Sequence, residues 1–200
     1  VLAAADAQAA RQNLVANAYN ISASGSPVFT ADRGYTGDGV GAYLNTGAVP
    51  ASLAKFKQND ASIFSYANTN AQDASNDVGT LTGVTILLKP YTVTGTRIDA
   101  RVNSSATGQG AVVATALGLT GVSRSSSSLM DIVRNGAVLN TVSNTSVAPE
   151  AVQPITLLQG GGSYSVRRLA VGGFGAGLTL QNVADLYAAL NTYLTAVGAN

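Results

Sequence analysis

Two alternating runs meet at Asn135-Gly136: Met130-Asp131-Ile132-Val133-Arg134 before it and Ala137-Val138-Leu139-Asn140-Thr141-Val142 after it. A two-residue type I′ turn needs positive φ at both central positions, and Asn-Gly tolerates that better than almost any other pair. The segment therefore reads as a β-hairpin. Short β-prone runs cut by turn residues recur upstream at 19–22, 28–30, 39–44, 62–66, 80–88 and 96–103, and again at 155–158 and 164–171. Punctuation this regular indicates an antiparallel sandwich or barrel. A chain of 200 residues is long enough to build one such domain around a single core.

The run 96–103 shows the clearest alternation. Ile98, Ala100 and Val102 fall on one face, and Arg97, Asp99, Arg101 and Asn103 on the other. One face meets the core and the other meets water or a ligand. Pairing with polar neighbours on adjacent strands accounts for the charged stripe without any ligand; ligand binding is the functional alternative.

Both ends of the chain read differently. The alanine-rich stretch 3–15, with Asp6 near its start, is expected to form a short helix within a lead-in segment, 1–18. The sandwich is assigned to 19–200. Near the C-terminus, Thr179 is a natural N-cap, Asn182 stands where a capping-box partner would, and Leu178 and Val183 are placed to form a hydrophobic staple. Val183, Leu186, Tyr187, Leu190, Tyr193, Leu194 and Val197 then form one apolar stripe, and Gly198 supplies the stop. The spacing predicts an amphipathic helix over 179–197 that docks on the sandwich or on a neighbouring subunit.

What the chain lacks excludes most chemistry. It has no Cys and no His, so thiolate and imidazole metal sites, Ser-His and Cys-His nucleophiles and a histidine base cannot be built. Glu150 is the single glutamate, and none of the nine aspartates sits in a close acidic pair on an alternating strand, as glycoside hydrolysis would require. A formal charge of +1 from scattered residues gives no footprint for a phosphate backbone, so nucleic acid is not expected as a partner. No apolar run approaches the roughly 20 residues that span a bilayer, so no membrane insertion is expected. The loop 33–39, with glycines at 34, 37 and 39, is a loose Gly-rich sequence without the helix start and Lys of a phosphate loop. The chain opens Val1-Leu2-Ala3-Ala4-Ala5-Asp6, with neither Met nor a basic flank, and is expected to be preceded by more protein.

Several blocks together carry a resemblance. They are Leu119-Thr120-Gly121-Val122-Ser123-Arg124, Asp131-Ile132-Val133-Arg134-Asn135-Gly136, Pro154-Ile155-Thr156-Leu157-Leu158, and the segment from Arg167-Arg168-Leu169 through Val171-Gly172-Gly173-Phe174-Gly175 to Thr179 and the last helix. With the upstream segments 29–39 and 43–47, they resemble the laminin G-like or concanavalin A-like jelly-roll domains of bacteriophage and prophage structural proteins, such as tail and fibre proteins. The resemblance implies an all-β, two-sheet antiparallel jelly-roll sandwich, with a short N-terminal helix and one C-terminal amphipathic helix. It also implies a place on the exposed surface of a virion, among other virion proteins, in a homo-oligomer for which a trimer is plausible.

No catalytic residue and no cofactor carries over, so a non-enzymatic role is expected. The leading reading is a tail-fibre or receptor-binding domain contacting a host surface glycan. The other is a capsid decoration or head-fibre assembly module that binds no glycan. Sugar sites combine aromatic platforms with amide and carboxylate hydrogen-bonders. On that ground the candidate ligand residues are Tyr66, Asn68 and Asn70, together with Arg97, Asp99, Arg101 and Asn103. Calcium-dependent relatives cluster carboxylates and amides, for which the local candidates are Asp73, Asn76 and Asp77. An Asx-rich turn accounts for these three more simply.

Overall fold

A computed structural model describes residues 1–15, 18–83, 85–106 and 108–200. Two seven-stranded antiparallel sheets face one another. The front sheet runs in the order β1 (Ser22–Ser24), β4 (Tyr43–Asn45), β13 (Ile155–Leu157), β6 (Val78–Thr80), β7 (Leu87–Lys89), β8 (Arg97–Arg101) and β9 (Gly108–Val112). The back sheet runs β12 (Ala137–Ser143), β11 (Leu129–Arg134), β10 (Gly118–Arg124), β5 (Ala61–Ala67), β16 (Arg168–Gly175), β3 (Gly34–Thr36) and β2 (Val28–Thr30). A small hairpin, β14 (Gln159–Gly160) and β15 (Ser163–Tyr164), folds over the outside of the front sheet, where Gly79 and Gly160 meet with room only for hydrogen at their α-carbons. The architecture is the expected all-β jelly-roll sandwich with one C-terminal helix, α1 (Leu180–Ala196).

The main core lies between the sheets and includes Leu44, Ile63, Leu88, Ile98, Ile132 and Leu157. A second apolar layer lies outside the back sheet, where Tyr66, Leu119, Val171 and Leu194 are buried together under α1. Period-two geometry explains how one strand serves both layers. On β5, Ala61, Ile63 and Ala67 point into the sandwich, whereas Phe64 and Tyr66 point toward the helix. With both faces covered, all seven residues of β10 are buried. On β8 the pattern alternates, because no helix covers the front sheet there.

Local signals in the sequence translate into geometry where packing does not compete. Asn135 and Gly136 have φ of 46° and 85°, and the hairpin they join pairs β11 with β12. Thr179 and Asn182 form the capping box, each side chain accepting the other's backbone N–H at 3.2 Å. Gly198 ends the helix at φ 69°.

Three expectations are corrected. The helix expected across 3–15 is reduced to a single 3-10 turn, Ala9–Arg11. Its backbone is drawn into tertiary bonds instead: Leu2 and Ala3 donate to the Ala170 carbonyl, and the Ala3 carbonyl accepts the Tyr193 hydroxyl at 2.7 Å. Asp6 still caps the turn, accepting from Gln8 and Ala9. The run 80–88 is not one strand, since β6 ends at Thr80 and β7 begins at Leu87. Val84 in that run, and Ala16 and Asn17 in the lead-in segment, lie outside the described residues. The Gly-rich loop 33–39 begins with β3, paired between β16 and β2.

Among the described residues, no helix is long and apolar enough to cross a membrane. The buried helix face predicts two separable costs. Leu194→Ala should destabilise the fold by about 2–5 kcal/mol through a cavity under α1. Thr179→Ala should cost about 1 kcal/mol through the lost cap. Urea denaturation measures both, and equal effects from the two substitutions would contradict this layering.

Candidate functional site

The outer face of the front sheet is where charge collects. Arg97, Asp99 and Arg101 alternate with buried Ile98 and Ala100 along β8. Lys89 and Leu87 on β7 stand opposite Asp99 and Arg101, so cross-strand geometry brings all five side chains to one face. Arg97 Nε donates to Asp99 Oδ1 at 2.9 Å, with the two side chains 27% and 19% exposed. Arg101 Nη1 donates to the Ser105 carbonyl at 3.0 Å, while its Nε finds no acceptor. Burial lowers the Arg101 pKa and nearby Asp99 raises it in partial offset; the guanidinium remains a cation. Three cations therefore surround one carboxylate that is already engaged by Arg97.

Four of the seven ligand residues inferred from sequence are used elsewhere. Asn103 lies past the end of β8 at φ 48°, is fully buried, and donates to the carbonyls of Lys57 and Gln58. It leaves the stripe because the chain turns inward there. Tyr66 is buried under α1, its hydroxyl donating to Asn200 Oδ1 at 3.3 Å. Asn68 donates to the carbonyls of Arg33 and Ala199 and accepts from Arg168 Nε, tying the end of the helix to the sheet. Asn70 accepts the backbone N–H of Ala116 at 3.0 Å. The structure thus brings together Arg97, Asp99 and Arg101, and separates them from Tyr66, Asn68 and Asn70 on the back sheet and its loops.

The acidic stretch 73–77 is likewise committed. Asp73 accepts from the backbone of Ser75 and Val166, and Asn76 donates to the Gly160 carbonyl at 2.6 Å. Asp77 Oδ1 accepts from Arg167 Nη1 and from the Ser165 hydroxyl, each at 2.8 Å, with both charged side chains fully buried. The remaining Arg167 nitrogens donate to the carbonyls of Ala71, Asp73 and Tyr91. The three oxygen-bearing side chains weighed as cation ligands therefore point to different partners. Among the described residues, no group of three or more acidic side chains could hold a metal ion.

Sequence reasoning missed the aromatic pair on the front sheet. Tyr43 on β4 and Tyr164 on β15 approach with ring centroids 6.2 Å apart. Nothing in their spacing signals this, because the β14–β15 hairpin alone brings Tyr164 over the sheet. Lys89 was also missed, since its short run carries no alternation. Beside Tyr43, Asp38 Oδ1 accepts the backbone N–H groups of Val40, Gly41 and Ala42, each at 2.8 Å. These bonds, led by that from Ala42, hold the Asp38 carboxyl down to about 2 from its ordinary 3.8.

No family model matches the chain, and no curated protein matches it. Solved structures do. Domain 4 of AbnA, a GH43 extracellular arabinanase from Geobacillus stearothermophilus, in complex with arabinotriose, superposes with a TM-score of 0.57 at 12% identity, covering 88% of this chain and 92% of that one. The sialidase of Trypanosoma rangeli, in complex with a difluorosialic acid, gives a TM-score of 0.56 at 11% identity, covering 86% of this chain. This chain spans 29% of the sialidase chain. What they share is the concanavalin-like jelly-roll fold.

Two measurements test the site's framework. Removing one partner of the buried pair, as in Asp77→Asn or Arg167→Met, should destabilise by about 3–5 kcal/mol. The double variant should recover part of that loss in urea denaturation, and added calcium should leave the wild-type Tm unchanged. For Asp38, a depressed carboxylate pKa means its contribution is complete above pH 3.8 and fades as pH falls through about 2. A carbon NMR titration of Asp38 should give a midpoint near 2, and a midpoint at 3.8 would refute the three-bond turn.

Proposed function

We propose that this chain is a non-enzymatic glycan-binding domain that holds an acidic saccharide on the outer face of the front sheet. The observation that carries the reading is the contrast between the two outer faces. Helix α1 covers the back sheet, whereas Arg97, Asp99, Arg101 and Lys89 stand half-exposed on β7 and β8 with no helix over them. An excess of fixed cations recognises carboxylate or sulfate groups, and guanidinium does so with directional, paired donors. The half-exposed guanidinium of Arg101 and the backing of Leu87 supply a cation and an apolar floor for a sugar ring. Support also comes from the fold neighbours, two of which are described with saccharide ligands.

The finer reading is a virion domain of the tail-fibre or receptor-binding kind, assembled with other virion proteins as a homo-oligomer and displayed on the particle surface. It rests on the sequence blocks that resemble phage jelly rolls. The assembly-module alternative is favoured by a different feature, the apolar gap beside β16 described below.

A glycan array of purified protein, repeated with Arg101→Ala and with Asp99→Ala, tests the site. Binding should concentrate on anionic glycans and fall at least about tenfold for Arg101→Ala. It should also weaken as salt rises from about 50 to 500 mM, because exposed charges are screened over roughly a Debye length. Binding confined to neutral glycans would sink the acidic-saccharide assignment, and no binding to any surface polysaccharide would sink the function.

A further inference from the structure

One strand of the back sheet has an edge without a strand neighbour. On one side β16 pairs with β5 along almost its whole length, from Leu169 opposite Ala67 to Gly175 opposite Ser62. On its other side β3 pairs only with Arg168 and Leu169. The next bonds on that side come from Leu2 and Ala3, which both donate to the Ala170 carbonyl at 2.7 and 2.9 Å. From Val171 to Gly175 no described strand continues the sheet.

The direction of the free groups follows from the ladder. In an antiparallel pair each residue turns both its N–H and its C=O to the same side. Asn68 donates to the Arg168 carbonyl across the β5 side, and the Asn135 N–H reaches the Leu119 carbonyl on the β11 side of β10. Carrying that alternation across the register of β11, β10, β5 and β16, Val171, Gly173 and Gly175 face β5, and Gly172 and Phe174 face the open edge. Five residues of edge extend about 16 Å at roughly 3.3 Å per residue.

This edge opens into a cavity of about 600 Å³. Leu53, Phe56 and Leu157 line it on the side of the main core, Leu186 and Leu190 line it beneath α1, and Leu14 stands at its mouth, 70% exposed. The strand carries glycine there for a steric reason. A Cβ on Gly172 would lie 2.5 Å from Leu157 Cδ1, and one on Gly173 would lie 2.2 Å from Phe64 Cζ. The backbone is therefore bare, and both walls beside it are apolar. A water-filled gap would leave the Gly172 and Phe174 amides satisfied only by solvent held against hydrocarbon, whereas a strand would satisfy both the amides and the walls.

We infer that the gap receives an extended peptide from a partner protein, which adds a strand to the back sheet beside β16. Its chemistry is set by the two walls. Alternate side chains point to the core side and to the helix side, so the segment is a continuous run of about five small or β-branched apolar residues rather than an alternating one. The inference does not depend on the glycan reading, since the charged stripe lies on the other sheet.

The probe is a labelled nine-residue peptide with a central Val-Ala-Val-Ala-Val run between lysine pairs, added to the full chain. Fluorescence anisotropy should show saturable binding. Two versions, N-methylated on one or the other set of alternate central residues, should differ. The set facing β16 should lose binding by at least about tenfold, and the other should bind as the parent does. In hydrogen exchange, the Gly172 and Phe174 amides of the free protein should exchange faster than those of Val171 and Gly173, and should slow when the peptide is added. Equal binding by both methylated versions would assign the gap to small apolar molecules and overturn the strand. Absence of peptide binding, or Gly172 and Phe174 amides already as protected as their neighbours, would overturn it as well.

Discussion

The buried ion pair between Asp77 and Arg167 holds the sandwich in register. Asp77 precedes β6 in the front sheet and Arg167 precedes β16 in the back sheet, so one 2.8 Å contact fixes two central strands against each other. Asp77 is also held through its backbone, donating to the Leu88 carbonyl and accepting from the Leu158 N–H. Two charges removed from water are costly unless their donors and acceptors are matched; all three Arg167 side-chain nitrogens donate, whereas only Oδ1 of Asp77 accepts and its Oδ2 is buried without a partner. That demand gathers the carbonyls of Ala71, Asp73 and Tyr91 around one guanidinium, and so shapes the loops at this end of the molecule.

The same device recurs without a carboxylate. Arg124 is fully buried and donates to the carbonyls of Val102, Ser126 and Asn144. Arg134 binds Thr120 Oγ1 and the carbonyls of Thr115 and Leu117. Burial lowers the pKa of both, yet each serves as a rigid fork of donors that closes a loop over the ends of the strands. Three of the chain's few cations are thus structural. The cations left on the outer faces are correspondingly more informative, and β7 and β8 bring three of them together.

The two outer faces divide the roles. Helix α1 seals the back sheet, fixed by its capping box at one end and by Asn68, which donates to the Ala199 carbonyl, at the other. The front sheet keeps its polar stripe open toward solvent at β8, while the β14–β15 hairpin covers its middle. Beside β16, the back sheet stops short of closing. A charged outer face and an apolar gap therefore lie on opposite sheets of one frame.

Residues that act through their immediate neighbours were legible in the sequence. Asn135-Gly136, the alternation of Ile98 and Ala100 with Arg97 and Asp99, and Thr179 with Asn182 each specify a turn, a face or a cap from a few adjacent positions. Residues whose meaning depends on a distant partner were not. The segment 3–15 has helical composition, but Ala3 and Ala10 are buried against other elements, and the Ala3 N–H and the Ala4 and Arg11 carbonyls bond to Ala170, Asp32 and Ile21 rather than along a helix. Asp77 reads locally as part of an Asx-rich turn, and its ion-pair partner, Arg167, is ninety residues away in the chain. Tyr66 looked like a sugar platform, and only the docking of α1 buries it. By itself, then, the sequence determined the fold class, the main hairpin, the last helix and the exclusion of histidine and cysteine chemistry. Tertiary structure alone decided which polar residues are internal ties, which form an open face, and where the sheet leaves an edge. The reason is that periodicity and capping are local, whereas burial and hydrogen-bond partners are set only when the two sheets meet.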